Sequence, residues 1–418
     1  MREIILINVS GRDCPGLTAS LAEVLAQYNA NILDISQAVI HDGLALGLVV
    51  EIPPESESSP ILKELLYRAH NLDVQLKFTP IGEERYEEWV SVQGRQRHIV
   101  TILGRRISAR ALAMVSAVIF ENGLNIDFMS RLSGRISFRR QAVRPRACME
   151  ISVRGTPLDR TAMRSAFMDI SRNCGVDIAF QEDNAFRRNR RLVAFDMDST
   201  LIEAEVIDEL AKAAGVGAEV AELTARAMQG EMDFRESLTR RVSLLQGLPA
   251  EVLGEVARTL PLTEGAERVI RTLKFLGYKL AIISGGFGYF GRLLQKRLDI
   301  DYVCANELEI EGGRLTGKIV GKIVDGARKA EILREIADKE RIDLEQVIAV
   351  GDGANDLPMI DIVGLGIAFH AKPVVKAGAG QSISHLGLDG ILYFLGIRDR
   401  DAFPGSEEPA GEGPPSLK

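Results

Sequence analysis

Cysteine is scarce and scattered: Cys14, Cys148, Cys174 and Cys304 form no CxxC pair, which favours reduced, structural thiols over disulfides or a zinc site. Histidine is equally sparse. His41, His70, His98, His370 and His385 show no close pairing, so neither a histidine metal centre nor a Ser-His triad has support. Long apolar runs are missing too. The early stretch 4–9 is too short for a signal core, and nowhere do about 18 apolar residues follow one another to span a bilayer. No membrane partner is expected, and the cytoplasm is the expected compartment. An excess of positive charge is also lacking. The formal net charge is −7, so no overall field attracts nucleic acid, and a nucleic-acid partner is not expected.

What is present is a composition of soluble globular type, 46% hydrophobic and 26% charged over 418 residues, long enough for about three domains. The first part reads as strand 3–9, a turn at 10–16, helix 17–28, strand 32–40, a hairpin at His41-Asp42-Gly43, strand 44–52, helix 60–70 and strand 73–78. This βαββαβ order is a compact α+β unit. It recurs as strand 98–103, helix 107–122, strands 125–131 and 147–154, helix 158–174 and strand 176–181. Asn31-Ile32 and Asn125-Ile126 occupy equivalent places, and Leu17, Ala22 and Leu25 fall opposite Ala111, Ser116 and Ile119, so two copies of one module are expected. The arginine runs 139–146 and 187–191 read as solvated linker, with the main boundary near 184–191. The tail, 403–418, is too poor in apolar residues to order itself.

Beyond the boundary, short buried strands alternate with helices. The stretch Val193-Ala194-Phe195-Asp196-Met197-Asp198-Ser199-Thr200 ends an apolar run in two carboxylates and two hydroxyls. Either it is a turn capping the next helix, or Asp196 and Asp198 converge on one volume, where a cation or a shared proton must relieve them. Helices over 206–214, 218–229, 233–245 and 250–260 follow with no strand between, as a cap over the sheet's carboxyl edge would. Strands 279–284, 347–352 and 365–369 then return, with a hairpin near 308–320, giving a parallel α/β sheet. Strand 279–284 ends in Ser284-Gly285-Gly286 before a helix, an anion site by its amides. Strand 347–352 ends in Gly351-Asp352-Gly353-Ala354-Asn355-Asp356. Asp196 and Asp352 offer hard oxygen ligands suited to Mg²⁺. By spacing alone, Lys329 reads as a surface lysine.

In order, Asp196-Met197-Asp198-Ser199-Thr200, Ser284, Lys329 and 351–356 resemble the four motifs of the haloacid dehalogenase superfamily of phosphohydrolases. Glu205, the Arg240-Arg241-Val242 segment and Ser284-Gly285-Gly286-Phe287 make the match similar to the phosphoserine phosphatases within it. The resemblance implies a doubly wound, Rossmann-like sheet over 190–398 with a helical cap at 205–262. It also implies a Mg²⁺-dependent hydrolysis of phosphoserine, the last step of serine biosynthesis, through an aspartyl-phosphate. Asp196 would be the nucleophile, Asp198 the proton carrier, and Lys329 with Ser284 and Gly285 the phosphate cradle. The metal would be held by Asp196, Asp352 and the carbonyl of Asp198, with Thr200 and Asp356 behind them. Glu205, Met228, Phe234, Arg241 and Asn355 would meet the substrate.

The two modules, 1–82 and 97–183, resemble ACT domains, of ferredoxin-like α+β fold, most specifically at Gly11-Arg12-Asp13-Cys14-Pro15-Gly16-Leu17. That resemblance implies an amino-acid effector at Asp13, Pro15 and Gly16, and a homodimer. The same residues also read as a helix cap with Pro in its first turn. The second copy has Arg105-Arg106-Ile107 at the corresponding place and departs from the pattern. Two alternatives stay open: a phosphatase for another small phosphate monoester, and an amino-acid sensor whose phosphatase part has become a signalling platform.

Overall fold

Alternation of inward and outward side chains shapes the first sheet. In the computed structural model, which describes residues 3–135, 144–228 and 231–403, Ile5, Ile7 and Val9 point inward beside Leu44, Leu46, Leu48 and Val50, because successive strand residues face opposite ways. They pack on Leu17, Leu21, Val24 and Leu25 of the helix Leu17–Gln27 and on Ile61, Leu65 and Ala69 of Ser58–Asn71. The sheet runs Asn31–Ile40, Gly43–Ile52, Glu3–Arg12, Val74–Ile81, antiparallel throughout. The first strand is longer than expected. Ser10, Gly11 and Arg12 pair with Ala45, Leu44 and Gly43, since the tight hairpin at His41-Asp42 brings the end of its neighbour alongside. The polar helix Glu83–Ser91, which buries no residue, follows this sheet.

The chain divides into two compact units, Met1–Arg95 and Gln96–Lys418. The second module opens the second unit, with strand order Asn125–Arg131, Ala147–Arg154, Arg97–Gly104, Asp177–Glu182. The internal repeat is visible in its core, where Ala111 and Ile119 are buried as Leu17 and Leu25 are in the first copy.

The rest of this unit is a seven-stranded sheet in the order Arg314–Val320, Tyr302–Glu311, Lys279–Phe287, Leu192–Phe195, Val347–Gly351, Leu365–Phe369, Gln381–Ile383. Leu192–Phe195 is central, wholly buried and parallel to both neighbours. Such strands read as unbroken apolar runs because helices cover both faces. The cap helices Val206–Ala214, Gly217–Met228, Phe234–Ser243 and Glu251–Thr259 are inserted between this strand and the helix Ala266–Phe275. Tyr302–Glu311 was legible only as half of a hairpin. Its first residues pair in parallel with Ala281, Ile282 and Ile283 before it leaves to pair with Arg314–Val320.

The second arginine run is not solvated linker throughout. Arg187 and Arg190 are 6% and 7% exposed: Arg187 pairs with Glu150 of the second module, and Arg190 donates to the carbonyls of Glu345 and Gly364. Segment 184–191 thus lies inside the second unit. The module also covers the sheet's far edge, where the Gln381 amide donates to the Phe180 carbonyl at 2.8 Å and accepts from its N–H at 3.0 Å. Asp177 accepts from the N–H groups of Ser384 and His385 at 2.8 and 2.9 Å. Arg139 and Arg140 of the first run and the expected tail beyond Phe403 lie outside the described residues. Among the described residues no helix is long and apolar enough to cross a membrane.

Candidate active site

After the central strand the chain builds first one side of the sheet and then the other. The carboxyl end of that strand is therefore a topological switch point, the place where open α/β sheets leave a crevice for ligands. Asp196 stands in it. Its N–H donates to the Val350 carbonyl at 2.8 Å, and its Oδ1 accepts from the Met197 N–H at 2.8 Å. Asp352 and Asp356 follow the neighbouring strand, and one oxygen from each of the three carboxylates lies within 4.8 Å of the others.

Lys329 points into this group and is 0% exposed, which corrects the surface reading. Spacing along its helix says nothing about which sheet edge the helix meets. Nζ lies 2.9 Å from Asp196 and 2.5 Å from Asp356. Burial alone would lower a lysine's pKa, but the two carboxylates outweigh it and hold the ammonium well above its ordinary range. The helix Gly326–Glu340 that carries it is capped by Asp325, which accepts from the Arg328 N–H at 2.9 Å, and Asp325 also pairs with Arg235 of the cap. Asp356 is steadied by the Gly353 N–H at 3.0 Å.

Past Asp196 the backbone turns sharply, with Asp198 extended and Ser199 left-handed at φ 54°. Ser199 Oγ donates to Glu205 at 2.7 Å, the Val206 N–H to Asp198 at 3.4 Å, and Thr200 Oγ1 to Asp352 at 3.4 Å. Burial, then the charges of Glu205 and Asp196, push the Asp198 carboxyl well above the carboxylate range. Burial, then Asp196, Asp356 and Glu205, push Asp352 up to about 8. Against these acids stand Lys329 and Arg241. The excess of negative charge and the all-oxygen donor set fit a hard divalent cation. The side chain of Asp356 joins the cluster in addition to holding Lys329; the sequence reading used the main-chain carbonyl of Asp198 instead.

The phosphate-cradle candidate is as tight. Ser284 is buried, and its Oγ accepts from the Gly286 N–H at 3.0 Å. A Cβ on Gly286 would sit 2.5 Å from an Asp198 oxygen, and one on Gly285 would sit 2.8 Å from the Phe234 ring. Only glycine lets the loop lie between the acid and the cap. Asn306 was missed by sequence reasoning. Fully buried, it donates to the Gly285 carbonyl at 2.7 Å and accepts from the Val324 N–H at 2.8 Å, tying the loop to the segment before Lys329. The signal was there, since Tyr302 to Ala305 is one more apolar strand ending in a polar residue.

Among the remaining expected residues, Phe234 and Arg241 lie half-buried in one cap helix. The Arg241 Nε donates to the Ser237 carbonyl at 3.4 Å. Asn355 is half-buried in the turn Ala354–Asp356. Met228 ends its helix, but its side chain lies outside the described residues. In the first unit, the N-cap of Leu17–Gln27 is Gly16 itself, at φ 87°. Pro15 therefore precedes the helix instead of entering its first turn, and the Asp13 N–H donates to the Asp42 carbonyl at 2.8 Å.

Residues 3–79 and 96–181 match ACT domain families, and residues 193–361 match the haloacid dehalogenase-like hydrolases. A phosphoserine phosphatase of Streptomyces coelicolor is 41% identical over 98% of this chain and 97% of its own. The phosphoserine phosphatase SerB2 of Mycobacterium tuberculosis is 39% identical over 94% and 93%. Among solved structures, a haloacid dehalogenase family hydrolase of Salmonella enterica superposes with a TM-score of 0.61 at 30% identity, covering 72% of this chain and 99% of the other. A probable phosphoserine phosphatase of Vibrio cholerae, unliganded, gives 0.57 at 36% identity, covering 72% and 88%.

Proposed function

Because the chain belongs to the phosphoserine phosphatase family of haloacid dehalogenase-like hydrolases and carries two ACT domains ahead of its catalytic part, we propose that it hydrolyses O-phospho-L-serine to L-serine and phosphate. This is the last step of serine biosynthesis, and it runs through an aspartyl-phosphate on Asp196. The reading is carried by one observation. Asp196, Asp352, Asp356 and the buried Lys329 converge at the end of the central strand, with Phe234 over the glycine loop beside them.

An Asp196 oxygen forms a bond to phosphorus as the bond to the seryl oxygen breaks, and Asp198 gives that oxygen its proton. Water then attacks phosphorus and yields a proton to Asp198, which releases phosphate and restores the Asp196 carboxylate. Ser284, the Gly285 amide and Lys329 hold the phosphoryl oxygens, where transition-state charge gathers. Asp356 keeps Lys329 in place, and Thr200 steadies Asp352. Asp196, Asp352 and the main-chain carbonyl of Asp198 would hold Mg²⁺, which would supply positive charge where the two anions meet. In the cap, Glu205 takes the substrate ammonium, and Arg241 its carboxylate as a bidentate fork. By the same resemblance Met228 and Phe234 would exclude water above the reacting centre, and Asn355 would contact the substrate.

A phosphate-release assay tests both halves. Activity on phosphoserine is expected to vanish in a chelator and return with Mg²⁺, and release that persists in the chelator would overturn the metal assignment. Arg241→Ala is expected to raise KM for phosphoserine roughly thirtyfold, the weight of a charged hydrogen-bonded pair, with little effect on p-nitrophenyl phosphate, which has no amino-acid end. A preference for a phosphosugar would replace the substrate and leave the mechanism standing.

An amino acid, most simply the product serine, binds at Asp13, Pro15 and Gly16, and the ACT domains support a homodimer. Calorimetry on the full chain is expected to give heat with serine that Asp13→Ala removes, and sedimentation a dimer mass. The absence of either result retires the corresponding proposal.

A further inference from the structure

Two short segments connect the cap to the core, and they are zipped together. Ile202 bridges Leu262 antiparallel, the Glu203 N–H donates to the Pro261 carbonyl at 3.0 Å, and the Thr263 N–H to the Leu201 carbonyl at 3.0 Å. The Glu264 N–H reaches the Glu203 carboxylate at 3.3 Å. On the entry side, the Ser199 N–H donates to the Ala204 carbonyl at 3.1 Å and its hydroxyl to Glu205 at 2.7 Å. Whatever holds Glu264 therefore acts on the ladder that carries Glu205.

What holds Glu264 is the second ACT domain. Arg105 grips it with both arms, at 2.7 and 2.6 Å, and Arg144 adds a contact at 3.1 Å. The Glu264 side chain is 18% exposed, and burial alone would raise its pKa, but Arg105, Arg144 and Arg146 hold it below the usual range. Beside it, Arg146 and Arg268 share Asp389 at 3.1 and 2.7 Å, and Arg268 and Tyr393 share Asp399 at 2.9 and 2.7 Å. The hinge exit is thus anchored to core and module at once. Arg105 follows its strand directly, at the place that corresponds to Gly11 in the first copy, where the strand runs on to Arg12, so the second copy's departure from the pattern coincides with its grip on the hinge.

We propose that Arg105 and Glu264 are positioning residues: through this pair the second ACT domain braces the hinge and sets the cap for reading the amino-acid end of the substrate. The inference rests on the phosphoserine reading above and adds to it a task for the second module that needs no effector. An isolated surface ion pair contributes little. A bidentate, partly buried one joined to a network couples more strongly, and its loss is expected to cost about fivefold.

The test is the ratio of kcat/KM for phosphoserine to that for p-nitrophenyl phosphate, measured on the full-chain enzyme. Arg105→Ala and Glu264→Gln are each expected to lower the ratio about fivefold through KM for phosphoserine, with the double variant no worse than either single one. Arg105→Lys, which keeps the charge without the fork, should fall between, and it decides the matter if Arg105→Ala does not fold. A wild-type ratio in the folded variants, or equal losses on both substrates, overturns the brace. A wild-type enzyme with no preference for phosphoserine removes the substrate reading, and the brace with it; a preference untouched by the Arg105 variants removes the brace alone.

Discussion

Asp196→Asn is expected to abolish phosphate release, by about 10⁴-fold or more, in a protein that remains folded. The amide keeps the shape of the carboxylate and an oxygen for the Met197 N–H, but it lacks the anionic oxygen that attacks phosphorus. Stability should hold: the charge opposite Lys329 at 2.9 Å is lost, but Asp356 still faces the ammonium at 2.5 Å. The Asp196 charge is one of the causes that raise Asp198, Asp352 and Asp356 above their ordinary pKa values, so its removal relieves a repulsion that the fold carries for the sake of the site. Phosphate release and a thermal melt on the same preparation check both halves. Unchanged release would falsify the nucleophile assignment.

Lys329→Ala is expected to damage folding and chemistry together. The ammonium is fully buried between Asp196 and Asp356, and its loss leaves two carboxylates facing each other without it. Breaking a buried pair from one side costs about 3–5 kcal/mol. The removal of one preorganised charge from the phosphoryl oxygens costs about 10²–10³ in kcat. Adding Asp356→Asn removes one of the stranded charges, so the double variant should recover part of the denaturant midpoint and none of the kcat. A single variant as stable as the wild type would mean that solvent or a cation replaces the lysine, and the site would then have to be regarded as wet.

The amino-acid order by itself determined the parts. The repeated βαββαβ order announced two similar modules, because strand and helix periods depend only on local spacing. The apolar runs ending in Asp196, Ser284 and Asp352 announced a parallel sheet with chemistry at one edge, since buried strands turn polar where they meet a crevice. Residues whose meaning depends on distant chain stayed illegible. By spacing alone Lys329 looked like a surface lysine, and only its place in a resembled motif marked it; Asn306 went unremarked although it ends an apolar run. Arg187 and Arg190 looked like linker, because the carbonyls and carboxylates that make their burial tolerable come from elsewhere in the fold. Only the tertiary structure decided which side chains share a volume. It set Lys329 between two carboxylates, Phe234 over Gly285, and Arg105 on Glu264. The reason is that a buried charge is stable only where its partner also arrives, and that is settled by packing across the chain, not by spacing along it.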